Sequence, residues 1–256
     1  MPNPSPDLSE GLRALGFRTS PEAQAALFTH ATKSRLSLVE ALEQLIALER
    51  KEREARNLLA RTRLAALGKF KPLDRFDWNH PRSIDRQLYE LLLSLDFLRE
   101  GHNVLVRGQS GVGKTMLAQN LALQAIGQGF TVSFSTLGAA LADLLKQESL
   151  PAVERRLRRY TTPDLLVLDE IGYLPCDSRS ADLLYNIISR RHEKKSTVVT
   201  TNLAFKQWNT IFPGAACVGA LVDRFAQHCH VLDIDADSWR QKNALKTPAD
   251  SAKRTR

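Results

Sequence analysis

The sequence predicts an α/β fold: a parallel five-stranded sheet wrapped by helices, preceded by a small all-helical N-terminal domain. Three observations carry this reading. From His102 onward, short aliphatic and β-branched runs alternate with helical stretches, as in a parallel sheet whose strands are joined by helical crossovers. A glycine-rich loop ending in Lys-Thr stands between the first of those strands and the helix after it. Residues 1–71, by contrast, show only helical periodicity and helix-capping signals.

In the N-terminal region, Ser20-Pro21-Glu22 supplies a capping serine, a proline at the first helical position and an acid in the first turn. Ser37-Leu38-Val39-Glu40 is a capping box, opening a helix with Leu38, Leu42, Leu45 and Ile46 on one face. Its continuation is dense in both charge signs until Gly68 and Pro72 stop it. Residues 72–82 read as a connector. A helix is expected from Ser83 to Arg99, with Ile84, Leu88, Leu91, Leu92, Leu95 and Leu98 as its apolar stripe. The strands are HNVLV, FTVSF, DLLVLD, STVVTT and HVLDI, and the core they build spans 83–245. Residues 246–256 read as a basic, disordered tail.

Composition bounds the function. In 256 residues, 36 Lys and Arg face 28 Asp and Glu, a net charge of +8. That balance favours an anionic partner, most often nucleic acid, although mildly basic enzymes share it. The cysteines, Cys176, Cys217 and Cys229, form no CxxC pair, which argues against a disulfide framework or a zinc ribbon. The run His228-Cys229-His230 has metal-ligand types, but adjacent strand residues point to opposite faces and no second cysteine pair exists. No apolar run is long enough to span a membrane, and the N-terminus lacks the features of a signal peptide, so a cytoplasmic protein is expected.

Gly108-Gln109-Ser110-Gly111-Val112-Gly113-Lys114-Thr115 fits GxxxxGKT in full, with a strand before it and a helix after it. Such a loop turns its backbone amides inward around the β- and γ-phosphates of a nucleotide, and the helix N-terminus adds positive potential. Lys114 would neutralise phosphate charge, and the Thr115 hydroxyl would ligate Mg²⁺. The expected ligands are therefore ATP and Mg²⁺.

A second carboxylate comes from Leu165–Leu168, a buried strand ending in Asp169-Glu170. Asp169 would hold Mg²⁺ partly through water, and Glu170 would polarise a water for attack on the γ-phosphate. A Glu beside the Asp points to hydrolysis rather than transfer to a second substrate. The β-branched strand STVVTT ends at Asn202, a polar tip that is either a simple strand-ending turn or a contact to phosphate and water.

Together these motifs resemble those of AAA+ ATPases, and most closely the IstB-like proteins that assist insertion-sequence transposases, with the DnaC-type helicase loaders as relatives. The resemblance covers nearly the whole chain. Its most specific segments are LLVLDEIGYLP, TTNLAFKQWNTIF and ALVDRFAQHCHVLDIDADSWR, together with the charged helix ERKEREARNLLARTRLAALGKFKPLDRFDW. It implies that Asn202 is sensor 1, that Arg224 is an arginine finger presented to a neighbouring subunit's nucleotide, and that Arg240 is the sensor 2 arginine. It also implies a homo-oligomer with ATP between subunits, and partners that include double-stranded DNA and a transposase. Between the second strand and the Asp-Glu strand, initiator and loader relatives place helical structure lining a DNA channel. Here that stretch offers Lys146, Arg155, Arg156, Arg158 and Arg159, cations that could fix phosphates without reading bases or simply form a solvated helix face. Trp78, Trp208 and Trp239 read as packing residues rather than base-stacking platforms. A replicative-helicase loader is the nearest rival function. A small-molecule kinase would share the phosphate loop but needs an acceptor pocket.

Overall fold

The computed structural model describes residues 6–172 and 177–242, so the 246–256 tail and Tyr173–Cys176 lie outside the described residues. The chain divides into two compact units, Met1–Ala60 and Arg61–Arg256.

The first unit contains α1 (Pro6–Ala14), α2 (Pro21–Lys33) and most of α3 (Leu38–Ala65). The capping signals act as the sequence predicts. Ser20 Oγ accepts from Ala23 N at 3.2 Å. Ser37 and Glu40 exchange their bonds, Ser37 N donating to Glu40 Oε2 at 2.7 Å and Glu40 N donating to Ser37 Oγ at 3.3 Å. The apolar stripe of α3 is only partly used: Leu45 is buried, whereas Leu38, Val39, Leu42 and Ile46 are exposed. The unit is pinned instead through a buried acid. Glu49 Oε2 accepts from Arg18 N, Thr19 N and Thr19 Oγ1 at 2.7–2.8 Å, and Oε1 pairs with Arg53 and Arg56. Burial alone would raise the Glu49 carboxyl. The bonds from Thr19 and Arg18, with Arg56 beside them, outweigh it and lower the pKa to about 2.

In the second unit, the stretch from Ser83 to Arg99 is not one helix. Ser83–Ile84 form β1, which pairs antiparallel with the last strand. Asp85 then caps α4 (Arg86–Leu92), its Oδ1 accepting from Leu88 N at 2.8 Å. The helical stripe breaks at Leu95, whose φ of 66° is left-handed, and resumes as α5 (Asp96–Glu100). Leu95 is fully buried and Ser94 bonds the Asp96 side chain, so packing and a local polar contact override the periodicity there.

The remaining strands are β2 (Asn103–Gly108), β3 (Val132–Thr136), β4 (Leu165–Ile171), β5 (Ser196–Thr201) and β6 (Cys229–Asp235). The sheet order is β1-β6-β2-β5-β4-β3. The five parallel strands are those the sequence predicts, and β1 adds a short antiparallel edge. Both faces are covered, which explains why the strands read as continuous apolar runs. Val104, Val106, Leu165, Val167 and Val198 point to one side, where α4, α5 and α6 (Lys114–Gly127) pack. Leu105, Leu166, Leu168 and Val199 point to the other. That side is covered by α7 (Leu137–Leu145), α8 (Leu150–Thr161), α9 (Ser178–Arg191), α10 (Trp208–Ile211) and α11 (Val218–Ala226). Trp208 is buried there against Phe205 and Phe225, while Trp78 packs between Phe76 and Tyr89 on the first side. Beyond the N-terminal end of β5, the buried Arg191 donates to the carbonyls of Tyr160, Pro163, Asp164 and Ser196, tying the loops before β4 and β5 together.

Candidate nucleotide-binding site

A cleft of about 330 Å³ opens at the C-terminal ends of β2, β4 and β5, the end of a parallel sheet where ligands bind as a rule. Its floor is the glycine loop. Gly113 has φ of 102°, and a Cβ there would meet Phe76 Cε2 at 2.7 Å. Gly111 has φ of 80° and lies against Ser238, and its carbonyl accepts from Trp239 N at 3.1 Å. Only glycine satisfies both the backbone angles and these close approaches, so the loop stays open for an anion.

Lys114 begins α6 and is buried. Its Nζ donates to Gly108 O at 2.8 Å and Gln109 O at 2.7 Å. Burial lowers its pKa, while the Asp169 carboxylate opposes that shift, Arg240 adds to it and Glu170 opposes it. Glu170 and Arg240 line the same cleft as the lysine, and Asp169 bonds Thr115 beside it. Thr115 Oγ1 lies 3.1 and 3.0 Å from the Asp169 carboxylate oxygens. Asp169 is buried and also accepts from Thr200 Oγ1. Glu170, one residue on, is exposed at the cleft wall with φ of 62°. The β4–β5 register slips between Leu168 and Ile171, and this bulge turns Glu170 out of the strand alternation and toward the cleft.

The donor set suits the expected ligands. A hydroxyl and a carboxylate meeting within 3.1 Å are hard oxygen donors, appropriate to a Mg²⁺ that also takes phosphate and water oxygens. Lys71, Arg75, Lys114 and Arg240 line the cleft with Asp77 and Glu170, and Asp169 reaches it through its contact with Thr115, a mixture that can balance a polyphosphate and its metal.

Two segments far apart in sequence complete the walls. From residues 70–80 come Phe70, Phe76 and His80; from beyond β6 come Trp239 and Arg240. His80 and Trp239 meet edge to face, with centroids 4.7 Å apart, and His80 Nε2 lies 2.9 Å from Asp237 O. These aromatic walls, and Thr200, were not identified from the sequence. Trp239, read there as a packing residue, stands at the rim.

The other site candidates stand elsewhere. Asn202 is exposed just past β5, beside Gly172, outside the cleft lining among the described residues. Arg224, on α11, places its guanidinium 4.8 Å over the Tyr185 ring and donates to Ser189 on α9, likewise away from the cleft lining among the described residues. Arg155, Arg158 and Arg159 are exposed on α8, and Lys146 is exposed at the end of α7. Arg156 is engaged, its Nε and Nη2 each donating to Asp143 at 2.6 Å. No helix among the described residues is long and apolar enough to cross a membrane.

Residues 11–247 match the family described as IstB-like ATP binding protein. The chain is 32% identical over 243 residues to the protein described as the ATP-binding protein of insertion sequence IS232 from Bacillus thuringiensis subsp. berliner, covering 95% of this chain and 97% of that one. It is 34% identical over 221 residues to the counterpart from IS21 of Pseudomonas aeruginosa, covering 86% and 83%. Among solved structures it is similar to DnaI, with a TM-score of 0.53 at 18% identity over 64% of this chain and 90% of that one. It is also similar to the replication initiator DnaA bound to AMPPCP and single-stranded DNA, with a TM-score of 0.51 at 20% identity over 68% and 56%. These structural likenesses establish the AAA+ P-loop fold.

Proposed function

The chain belongs to the IstB-like ATP-binding family, and from that premise we propose that it is an ATP-hydrolysing, DNA-binding regulator of transposition. In this reading it assembles on double-stranded target DNA with ATP held between subunits, and it recruits or stimulates a partner transposase. Hydrolysis controls the assembly. The insertion-sequence origin of the relatives supports the transposition context. The convergence of Lys114, Thr115 and Glu170 on one cleft, with Asp169 bonded to Thr115, carries the chemistry.

On binding ATP, Lys114 exchanges the carbonyls of Gly108 and Gln109 for phosphate oxygens, and the loop amides take the remaining charge. Thr115 and Asp169 would hold Mg²⁺, which when bound would supply positive charge against the phosphates. Glu170 accepts a proton from a water as its oxygen bonds to the γ-phosphorus, while the bond to the ADP oxygen breaks. Asn202 orients that water, and Arg240 contacts the phosphates from its own chain. Arg224, which is turned away from its own cleft, serves the site of a neighbouring subunit. Lys146, Arg155, Arg158 and Arg159 face the DNA backbone. Residues 1–71 form the partner-facing helical domain, 72–82 the connector and 83–245 the ATPase core.

The test is phosphate release from Mg·ATP with duplex DNA and no other acceptor. Wild-type protein should turn over, and Glu170→Gln should bind ATP but release phosphate at least about 100-fold more slowly, because an amide cannot take the proton. Equal rates in the two proteins would refute this account of hydrolysis. Release that needs a small-molecule hydroxyl would point to a kinase.

A further inference from the structure

The Thr200 hydroxyl touches both members of the Asp169-Glu170 pair. It donates to Asp169 Oδ1 and accepts from the backbone N–H of Glu170 at 3.0 Å. Thr115 also donates to Asp169, but no contact joins it to Glu170 among the described residues.

The register explains why the hydroxyl is needed. Leu168 pairs with Val199 and Ile171 with Thr201, so β4 carries one more residue than β5 between those pairs. The extra residue falls in the gap of the ladder register, and there the Glu170 N–H donates to Thr200 Oγ1. On the far side of the bulge, Thr201 Oγ1 donates to Ile171 O at 2.7 Å. Glu170 holds a left-handed φ of 62°, disfavoured for a residue with a Cβ, and lines the cleft at this irregularity of the strand. Thr200 is itself fully buried, so neither of its bonds competes with bulk water.

We propose that Thr200 is a positioning residue for hydrolysis. Its hydroxyl fixes the bulge that aims Glu170 at the attacking water and sets the carboxylate plane of Asp169. The proposal rests on the reading of Glu170 as the base, and it adds a residue that neither the phosphate loop nor the acidic pair identifies.

Three substitutions separate positioning from mere packing. Thr200→Val keeps the branched shape and removes the hydroxyl. Thr200→Ser keeps the hydroxyl and removes a methyl. Thr200→Ala serves if the valine protein fails to fold. With Mg·ATP and duplex DNA, Thr200→Val should lose about 10- to 100-fold in kcat while KM for ATP stays within about 3-fold, and Thr200→Ser should keep kcat within about 3-fold. Amide hydrogen exchange at Glu170, followed by NMR without nucleotide, should accelerate at least about 10-fold in Thr200→Val and stay at the wild-type rate in Thr200→Ser. Wild-type kcat in Thr200→Val, or equal losses in the valine and serine proteins, overturns the proposal. If Glu170→Gln hydrolyses like wild type, the account of hydrolysis fails, and the exchange measurement decides the positioning role alone. Unchanged exchange in Thr200→Val overturns it, and accelerated exchange sustains it.

Discussion

On α8 the four arginines expected to meet DNA are not equivalent. Arg156 grips Asp143 through two bonds of 2.6 Å, and Tyr160 OH donates to the same carboxylate at 2.7 Å. Arg156 is the main cause that holds the Asp143 carboxyl below its ordinary range, with burial opposing it and Tyr160 and Arg159 assisting. Arg155, Arg158 and Arg159 are exposed, and Arg159 stands 3.9 Å from Asp143. If this face meets duplex DNA, each phosphate neutralised contributes about 0.9 to the slope of log affinity against log salt. Replacing Arg155, Arg158 and Arg159 together by Ala should therefore flatten the slope by as much as about 2.7. Arg156→Ala should leave the slope within about 0.3 of wild type. It should instead cost roughly 1 kcal/mol of stability, a modest figure because water screens a pair whose arginine is 41% exposed. The assay is fluorescence anisotropy of a labelled duplex across a salt series with a non-hydrolysable ATP analogue, alongside thermal melts. If Arg156→Ala flattens the slope as much as any exposed arginine does, the ion pair opens on DNA and this division is wrong. If the triple variant keeps the wild-type slope, α8 is an ordinary solvated helix.

Further outcomes follow from other parts of the chain. Arg224→Ala and Lys114→Ala should each be nearly inactive alone, yet a mixture should release phosphate in a concentration-dependent way. An intact phosphate loop can then face an intact Arg224 from another subunit, and a flat baseline in a mixture shown to co-assemble would place Arg224 in its own site. The lowered pKa of Glu49 means that its contribution is complete above its ordinary 4.5 and lost as pH falls toward about 2. Glu49→Gln should thus cost up to roughly 3 kcal/mol near neutrality, and the gap from wild type in urea melts should close over that window. Arg191→Met should destabilise the chain by about 3–5 kcal/mol, because the carbonyls of Tyr160, Pro163, Asp164 and Ser196 lose a common donor. Folded Arg191→Met protein should bind a fluorescent ATP analogue with wild-type affinity.

Legibility in the sequence tracked how local each feature is. The phosphate loop and Asp169-Glu170 are each contiguous, and each carries its own strand context, so both are readable; Glu170 lines the cleft with the loop, and Asp169 bonds Thr115 there. The parallel strands were readable because burial on both faces leaves no polar interruption in runs such as Leu165–Leu168. Thr200 was not. Its importance comes from a register slip against a strand thirty positions away, and nothing in STVVTT marks one threonine above the next. His80 and Phe76 were missed for the same reason, since their partners are Asp237, Trp239 and Gly113. The expected helix from Ser83 failed because helical periodicity cannot register that Ser83 and Ile84 have a strand partner in Asp235 and Ile234. Charge counting on α8 likewise could not show that Asp143, one helix earlier, claims Arg156.

The wiring around the glycine loop links the nucleotide site to the segments before β1 and after β6. Phe76, from before β1, lies under Gly113, while Ser238 and Trp239, from after β6, contact Gly111. The two segments are also joined to each other, by Arg82 Nη2 donating to Asp237 Oδ1 at 2.5 Å and by the contact of His80 with Asp237 O. An anion entering the loop must draw Lys114 off the carbonyls of Gly108 and Gln109, and Gly111, two residues on, carries the contacts to Ser238 and Trp239. Arg240, next to Trp239, lines the same cleft, and in the proposed mechanism it pairs with phosphate charge. Under the proposed mechanism, nucleotide binding acts on both of these segments at once, and loss of the γ-phosphate removes charge from Arg240 and Lys114 together. Because a ligand shifts an equilibrium only by its differential affinity for two states, the phosphate contacts of these two cations set how strongly ATP, relative to ADP, can bias the arrangement of the connector and the C-terminal segment.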